Sequence, residues 1–230
     1  MDAVLSSEEK DFFPGLPGEM LQRVLREMDA AREKYFPKPG EGPMSGGSRN
    51  PVDYAKFGFS VDDDMGMFIY MLCRSTGAKL AVDFATSVGR SLLYSAKAMA
   101  DGGGGRVVGA ELVPEKVVTA TNNLRQAGLI DYVDIREGDA RETLKDVGGT
   151  VDFALIDGWP NTTEKSVSLS VLETLEPQFR IGSIVINDNG EDDYIEYVRK
   201  PENGYLTIPL PFKRKFVHGT PVMSLRISDR

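Results

Sequence analysis

The chain has 230 residues, room for one full-sized domain with additions at roughly 100–200 residues per domain. Hydrophobic residues make up 41% and charged residues 27%, which excludes wholesale disorder, a collagen repeat and a coiled coil as descriptions of the whole. Against 27 Lys and Arg stand 35 Asp and Glu, and a formal net charge of −8 argues against a general nucleic-acid or anionic-membrane binder.

Cys73 is the single cysteine, so one chain can build neither an internal disulfide framework nor a cysteine-based zinc site. A reducing, cytoplasmic setting is expected. The sequence from Met1 to Lys10 carries no basic region followed by an apolar run, and nowhere do about 18 apolar residues follow one another, so neither export nor membrane spanning has a signal.

Within the first 35 residues Met20, Leu21, Val24, Leu25, Met28 and Ala31 recur at the helical period with charged residues between them, which predicts an amphipathic helix. The Pro-, Gly- and Ser-rich stretch 36–51 reads as a loop. Residues 1–58 are therefore expected to form a helical cap and loop, and 59–230 the main domain. An apolar helical run from about Met65 to Ser75 leads into strand Lys79–Phe84, a small-residue turn and a helix starting near Arg90. Strand Arg106–Glu111, helix Pro114–Ala127, strands Val133–Glu137 and Val151–Asp157, helix Ser166–Leu175 and strand Gly182–Asn187 follow. Strands apolar throughout that alternate with helices predict a doubly wound α/β fold, a mostly parallel sheet covered on both faces. Leu206–Leu210 and Val222–Ile227 lack a crossover helix between them and should close the sheet as an antiparallel hairpin.

In such sheets ligands bind beyond the carboxyl ends of the strands, where strand order reverses. The first strand ends at Asp83 and the turn Ala85-Thr-Ser-Val-Gly89, and the second at Glu111, where a carboxylate can accept two ribose hydroxyls. The third ends Glu137-Gly-Asp139-Ala140, placed to read an adenine edge. Each has a plain alternative: Asp83 and Asp139 as caps, Glu111 as a solvated strand end. The first turn lacks the glycine pattern of a dinucleotide site, which argues against a nicotinamide oxidoreductase. The fourth and fifth strands end at Asp157 and at Asp188-Asn189-Gly190. Two carboxylates and an amide oxygen suit Mg²⁺, Mn²⁺ or Ca²⁺; the alternative is a turn and a helix cap.

Together, Gln126-Ala-Gly128 through Gly138-Asp-Ala140, Asp157 and Asp188-Asn189 resemble the cation-dependent O-methyltransferases, a class I S-adenosylmethionine-dependent group that includes catechol and caffeoyl-coenzyme A O-methyltransferases. The resemblance covers roughly Phe59 to Ile227 and implies a seven-stranded Rossmann-like methyltransferase sheet and a homodimer. It implies cofactor contacts at Val61, Asp83, Ala85, Thr86, Ser87, Ser91, Glu111, Asp139, Ala140, Arg141, Asp157 and Trp159, Val61 lying against the methionine part. It also implies metal ligands at Asp157, Asp188 and Asn189, and a small hydroxyl acceptor of the catechol type. Where this family commonly carries glycine the chain has Ala85, and where it often carries a catalytic lysine the chain has Pro160. The general base is accordingly open between Lys165, a carboxylate such as Asp192, and water.

Asn189-Gly190 runs straight into Glu191-Asp-Asp-Tyr, without the longer substrate-facing loop of some family members. His218 reads as a loop residue, and Lys213-Arg214-Lys215 either as a solvated turn or as an attraction for an anionic acceptor such as a coenzyme A ester. Met65, Met67 and Met71 fill core gaps by the usual rule. Residues 1–58 have two readings, a lid or dimer surface and a helix packed on its own domain. Two alternatives to the metal-dependent enzyme stand: a metal-independent methyltransferase, and a protein that binds the cofactor without catalysis.

Overall fold

Apolar side chains on both faces of a strand must be covered on both faces, and in a computed structural model of the chain two layers of helices do this. The structure describes residues 16–35, 50–158, 165–212 and 219–229. Strands β1 (Leu80–Phe84), β2 (Arg106–Glu111), β3 (Val133–Glu137), β4 (Val151–Ile156) and β5 (Phe179–Asn187) are parallel. With β6 (Tyr205–Pro209) and β7 (Val222–Arg226) they make one seven-stranded sheet of order β3-β2-β1-β4-β5-β7-β6, whose last three strands pair antiparallel. The fold is thus the doubly wound, mostly parallel sheet with a closing hairpin that the apolar pattern predicts. Strand order reverses between β1 and β4, which sets the binding crevice at their carboxyl ends.

The helices are α1 (Glu19–Tyr35), α2 (Asp63–Ser75), α3 (Arg90–Asp101), α4 (Pro114–Gln126), α5 (Ala140–Thr143), α6 (Val167–Leu175) and α7 (Asp192–Arg199). One apolar cluster joins α1 to α4 with Ala81, Val107, Phe153, Leu155 and Ile186. The other joins α5, α6 and α7 with Leu80, Val82, Phe84, Val108, Ala110, Ala154, Ile156 and Val185. The strands' period of two therefore decides which side each strand-end residue serves. Asp83 and Glu111 share the parity of Ala81 and Val107, and Asp157 and Asp188 continue that of Leu155 and Ile186. All four carboxylates belong to the α1–α4 side.

Helix α1 buries Leu21, Val24, Leu25 and Met28, while Met20 and Ala31 from the same periodic set are exposed. Its stripe enters the same cluster as Leu92, Leu93 and Leu124, so this helix packs on its own chain. Two features differ from the sequence reading. Strand β5 starts at Phe179, ahead of Gly182, because a register shift against β4 lets the strand run through a glycine at φ +94°. Helix α7 was not expected at all; eight residues bury only Tyr194 and Val198, too short a stripe to stand out. Among the described residues no helix is long and apolar enough to cross a membrane.

Candidate active site

The turn after β1 is shaped by three left-handed residues, Ala85 at φ +65°, Ser87 at +50° and Gly89 at +88°. It folds back on β2: the amides of Ala85 and Thr86 both donate to Ala110 O, and the Ser87 amide donates to Glu111 Oε2 at 2.7 Å. Glu111 Oε1 accepts from the Val113 amide at 2.9 Å, so each carboxylate oxygen already holds one backbone donor and keeps a further lone pair. Gly89 has a second constraint, since a Cβ there would stand 3.0 Å from Ala120 Cβ in α4. Helix α3 then begins with Arg90 and the buried Ser91.

Ala85 has no glycine's freedom, and a left-handed L-residue costs about 1–2 kcal/mol. Replacement by glycine removes this strain while the greater entropy of the unfolded chain offsets part of the gain, so Ala85→Gly is expected to stabilise by about 0.5–1 kcal/mol, raising Tm by ~1–4 °C. A thermal melt showing a lower Tm would contradict a strained turn.

Asp83 is buried beside this turn. Among the described residues its carboxylate oxygens meet no donor at full bonding geometry. Burial raises its pKa to about 7, opposed by the Ser91 hydroxyl and with smaller added repulsion from Glu111. The Thr86 and Ser87 hydroxyls are likewise buried without a partner among the described residues. A buried carboxyl beside two buried hydroxyls that lack partners among the described residues fits a polar, cationic ligand.

Asp139 caps α5, accepting from the Arg141 amide at 2.9 Å and pairing with the Arg141 guanidinium at 2.5 Å. That hydrogen bond holds its carboxyl below the usual range. The helix-cap alternative thus describes the side chain, while buried Ala140 and the backbone of the turn border the end of β3. Val61, just ahead of α2, is buried in the α1–α4 cluster.

Beyond the switch point, the pairing of Ile156 with Asn187 puts Asp157 and Asp188 at neighbouring strand ends. The Asp157 amide donates to Phe84 O and the Asp188 amide to Ile156 O, which ties both turns to the sheet. Asp188 is fully buried and Asp157 half-buried. Asn189 Nδ2 donates to Gly158 O, which leaves Asn189 Oδ1 as the acceptor end. Behind them Asn187 accepts from the Gly190 amide at 2.6 Å and donates to Glu191, which accepts from the Ser168 hydroxyl at 2.7 Å. Gly190, at φ +62°, would place a Cβ 2.2 Å from Thr220 O, so the turn is clasped on its far side too.

Among the described residues no three Asp, Glu, His or Cys side chains gather as metal ligands. The set at hand is two carboxylates and one amide oxygen, hard donors that leave room for water or substrate in an octahedron, and it fits a magnesium-like cation.

Lys165 is not free for base chemistry: its ammonium pairs with Glu173 of α6, and about half of its side chain is exposed. Such a pair is worth little, so Lys165→Ala is expected to change turnover by less than about threefold. A loss of two orders of magnitude would restore it as the base. Trp159, Pro160, Lys213-Arg214-Lys215 and His218 lie outside the described residues.

Two buried cations beside the crevice, Arg90 and Lys116, were not anticipated. Lys116, in the first turn of α4, is buried with its Nζ 5.5 Å from the Phe59 ring. Burial lowers its pKa, opposed by the charge of Glu111. Its sequence setting, Pro-Glu-Lys at a helix start, is that of an ordinary surface lysine.

Residues 85–190 match the family described as a methyltransferase domain. The chain is 29% identical over 136 residues to a flavonoid 3',5'-methyltransferase of Vitis vinifera and 28% identical over 131 residues to a catechol O-methyltransferase of Mycobacterium tuberculosis. Each alignment covers 56% of this chain, and 55% and 56% of those proteins, so the chain spans about half the length of the curated relatives it matches. Its fold is that of the O-methyltransferase from Bacillus cereus solved with S-adenosylhomocysteine, with a TM-score of 0.67 over 92% of both chains at 20% identity. Residues 85–190 are therefore similar to a methyltransferase domain, the sheet is Rossmann-like, and the chain is similar in sequence to the catechol and caffeoyl-CoA O-methyltransferases.

Proposed function

We propose that this chain transfers the methyl group of S-adenosylmethionine to a hydroxyl of a small acceptor bearing a neighbouring oxygen. The observation that carries the reading is the placement of Asp83, Glu111, Asp157 and Asp188 at four successive positions along one side of the crevice. Two serve a nucleoside and two a hydroxyl.

In this reading Asp83 faces the cationic methionine end of the cofactor, with Val61 packed against it. Ala85, Thr86, Ser87 and Ser91 line the turn, the remaining lone pairs of Glu111 accept the ribose hydroxyls, and Asp139, Ala140 and Arg141 border the adenine. Asp157 completes the cofactor wall. Asp157, Asp188 and the Asn189 amide oxygen would hold a divalent cation, Mg²⁺ by donor type, whose charge favours the ionised form of a bound hydroxyl. The acceptor oxygen attacks the methyl carbon as the carbon–sulfur bond breaks, giving the ether and S-adenosylhomocysteine, and the hydroxyl proton leaves to water. Holding the two reactants in line is worth roughly 7–11 kcal/mol, and the rigid strand ends supply that geometry. Residues 59–230 form the catalytic domain, residues 1–58 its cap, and the working species is a homodimer.

Calorimetric titration of chelator-stripped protein with S-adenosylmethionine, repeated with Mg²⁺ and a simple catechol and followed by mass analysis, tests this. Cofactor binding is expected with or without the cation, and a product 14 Da heavier, the increment of one methylene, only with the cation present. Absence of cofactor binding in every condition would refute the methyltransferase reading, and product formed equally in chelator would refute the metal.

A further inference from the structure

Arg90 opens α3 directly after the turn 85–89, yet only 2% of it meets solvent. A guanidinium at a helix N-terminus is opposed both by the helix dipole and by lost hydration, so its burial requires anionic partners. It has two, from two different helices. Nη1 donates to Asp29 of α1 at 2.7 Å, and Nη2 to Asp63 at the start of α2 at 2.6 Å. Asp63 also accepts the Tyr94 hydroxyl at 2.5 Å, and Arg32 of α1 donates to Asp62 at 2.9 Å. Burial would raise the Asp63 pKa, but the Tyr94 hydrogen bond and the Arg90 charge outweigh it and hold the carboxyl low. Gly66 permits the close approach, since a Cβ there would stand 2.3 Å from the Tyr94 ring.

These bonds converge on the short segment 58–63, which crosses the turn 85–89. A Cβ on Gly58 would stand 2.8 Å from Val88 of that turn, the Phe59 ring lies against Lys116, Val61 is buried, and Asp63 ends the segment on Arg90. A strap is thus fixed at one end by a cation under an aromatic ring and at the other by an ion pair whose guanidinium is buried while its carboxylate is exposed. Asp29 extends the second anchor to α1, 61 residues away in sequence from Arg90.

We propose that Arg90 is a positioning residue that couples docking of α1 to closure of the 58–63 strap over the cofactor turn, and so sets how long the cofactor is retained. The proposal rests on the S-adenosylmethionine reading above. Asp29 is the informative position, because it is half-exposed, belongs to no proposed cofactor contact, and its replacement leaves the Arg90–Asp63 pair in place.

The test measures cofactor Kd by calorimetry and release by stopped flow in wild type, Asp29→Asn, Arg90→Lys and Arg90→Met. Backbone hydrogen exchange over 58–63 is read without ligand. In Asp29→Asn, Kd and release rate are expected to rise by about 5–10-fold, the lower range of coupling between distinct sites, with kcat at saturating cofactor within about twofold. Exchange over 58–63 is expected to quicken, and Arg90→Lys to fall between wild type and Arg90→Met. A folded Asp29→Asn protein with wild-type Kd, release and exchange would overturn the coupling; if Arg90→Met does not fold, Asp29→Asn and Arg90→Lys decide. Should wild type fail to bind the cofactor while Asp29→Asn still quickens exchange over 58–63, the latch stands and the methyltransferase reading falls.

Discussion

Asp188→Asn is expected to lower Mg²⁺-supported methyl transfer at least ~100-fold, the scale of several kcal/mol of charge stabilisation, while cofactor Kd stays within about threefold. The asymmetry follows from position. Asp188 is two strands from the nucleoside side of the crevice and adjoins Asp157 through the β4–β5 ladder. Asparagine keeps the shape of the buried side chain and an oxygen but removes the charge, so the turn held by Asn187, Glu191 and the Asp188 amide is retained. A cation that binds the folded form raises its melting temperature by mass action. That Mg²⁺-induced rise is expected in wild type and lost in the variant. Full turnover by Asp188→Asn, or an undiminished Mg²⁺ shift, would remove this residue from the metal set.

The strands were legible because burial on both faces leaves a continuous apolar run, and their ends were legible because such runs stop at carboxylates and small residues. Asp83, Glu111, Asp157 and Asp188 could therefore be named before any coordinates. That they share one side of the sheet follows from strand parity, which needs the pairing to be known. Ala85 was legible as a departure from glycine, but its left-handed φ was not, because only the backbone reports it. Asp139 and Lys165 show the reverse: both carry the right chemistry at a suggestive place, and both spend it locally, on the Arg141 amide and on Glu173.

Arg90 and Lys116 escaped notice for a different reason. Charged residues in the first turn of a helix ordinarily face water, and their burial is decided by partners far along the chain. Arg90 is paired with residues 61 and 27 positions earlier, so no window of sequence contains the interaction. Helix α7 was missed for want of length, whereas α1 showed its stripe because it spans 17 residues. Periodic burial is a local signal. Charge pairing is not, and in this chain it ties α1, already packed by its apolar stripe, to Arg90 and to Asp62 beside the cofactor turn.

Cofactor affinity is expected to rise by about 20-fold between pH 5.5 and pH 7.5, and to level off above. The cause is Asp83, whose pKa burial raises to about 7, with the Ser91 hydroxyl giving relief and Glu111 adding repulsion. Cys73 on α2 senses the same charge, and burial pushes its thiol up to about 12, so it does not titrate in this window. For the free protein the sign is unfavourable. The unfolded carboxyl ionises near pH 4 and the folded one near 7, so stability present below pH 4 is lost as pH rises to 7, by up to about 4 kcal/mol. A cationic ligand reverses this, since it binds the ionised carboxylate, and below pH 7 binding must first expel a proton. Calorimetry in buffers of different ionisation enthalpy should then count close to one proton released per cofactor bound at pH 5.5 and only about a tenth of one at pH 8. Asp83→Asn is expected to abolish the slope, to weaken binding at pH 7.5 by about 10–100-fold through loss of a charged hydrogen bond, and to melt higher than wild type at pH 8 without ligand. An affinity that is flat from pH 5.5 to 7.5, or a slope that survives in Asp83→Asn, would assign the cofactor's charge to another partner.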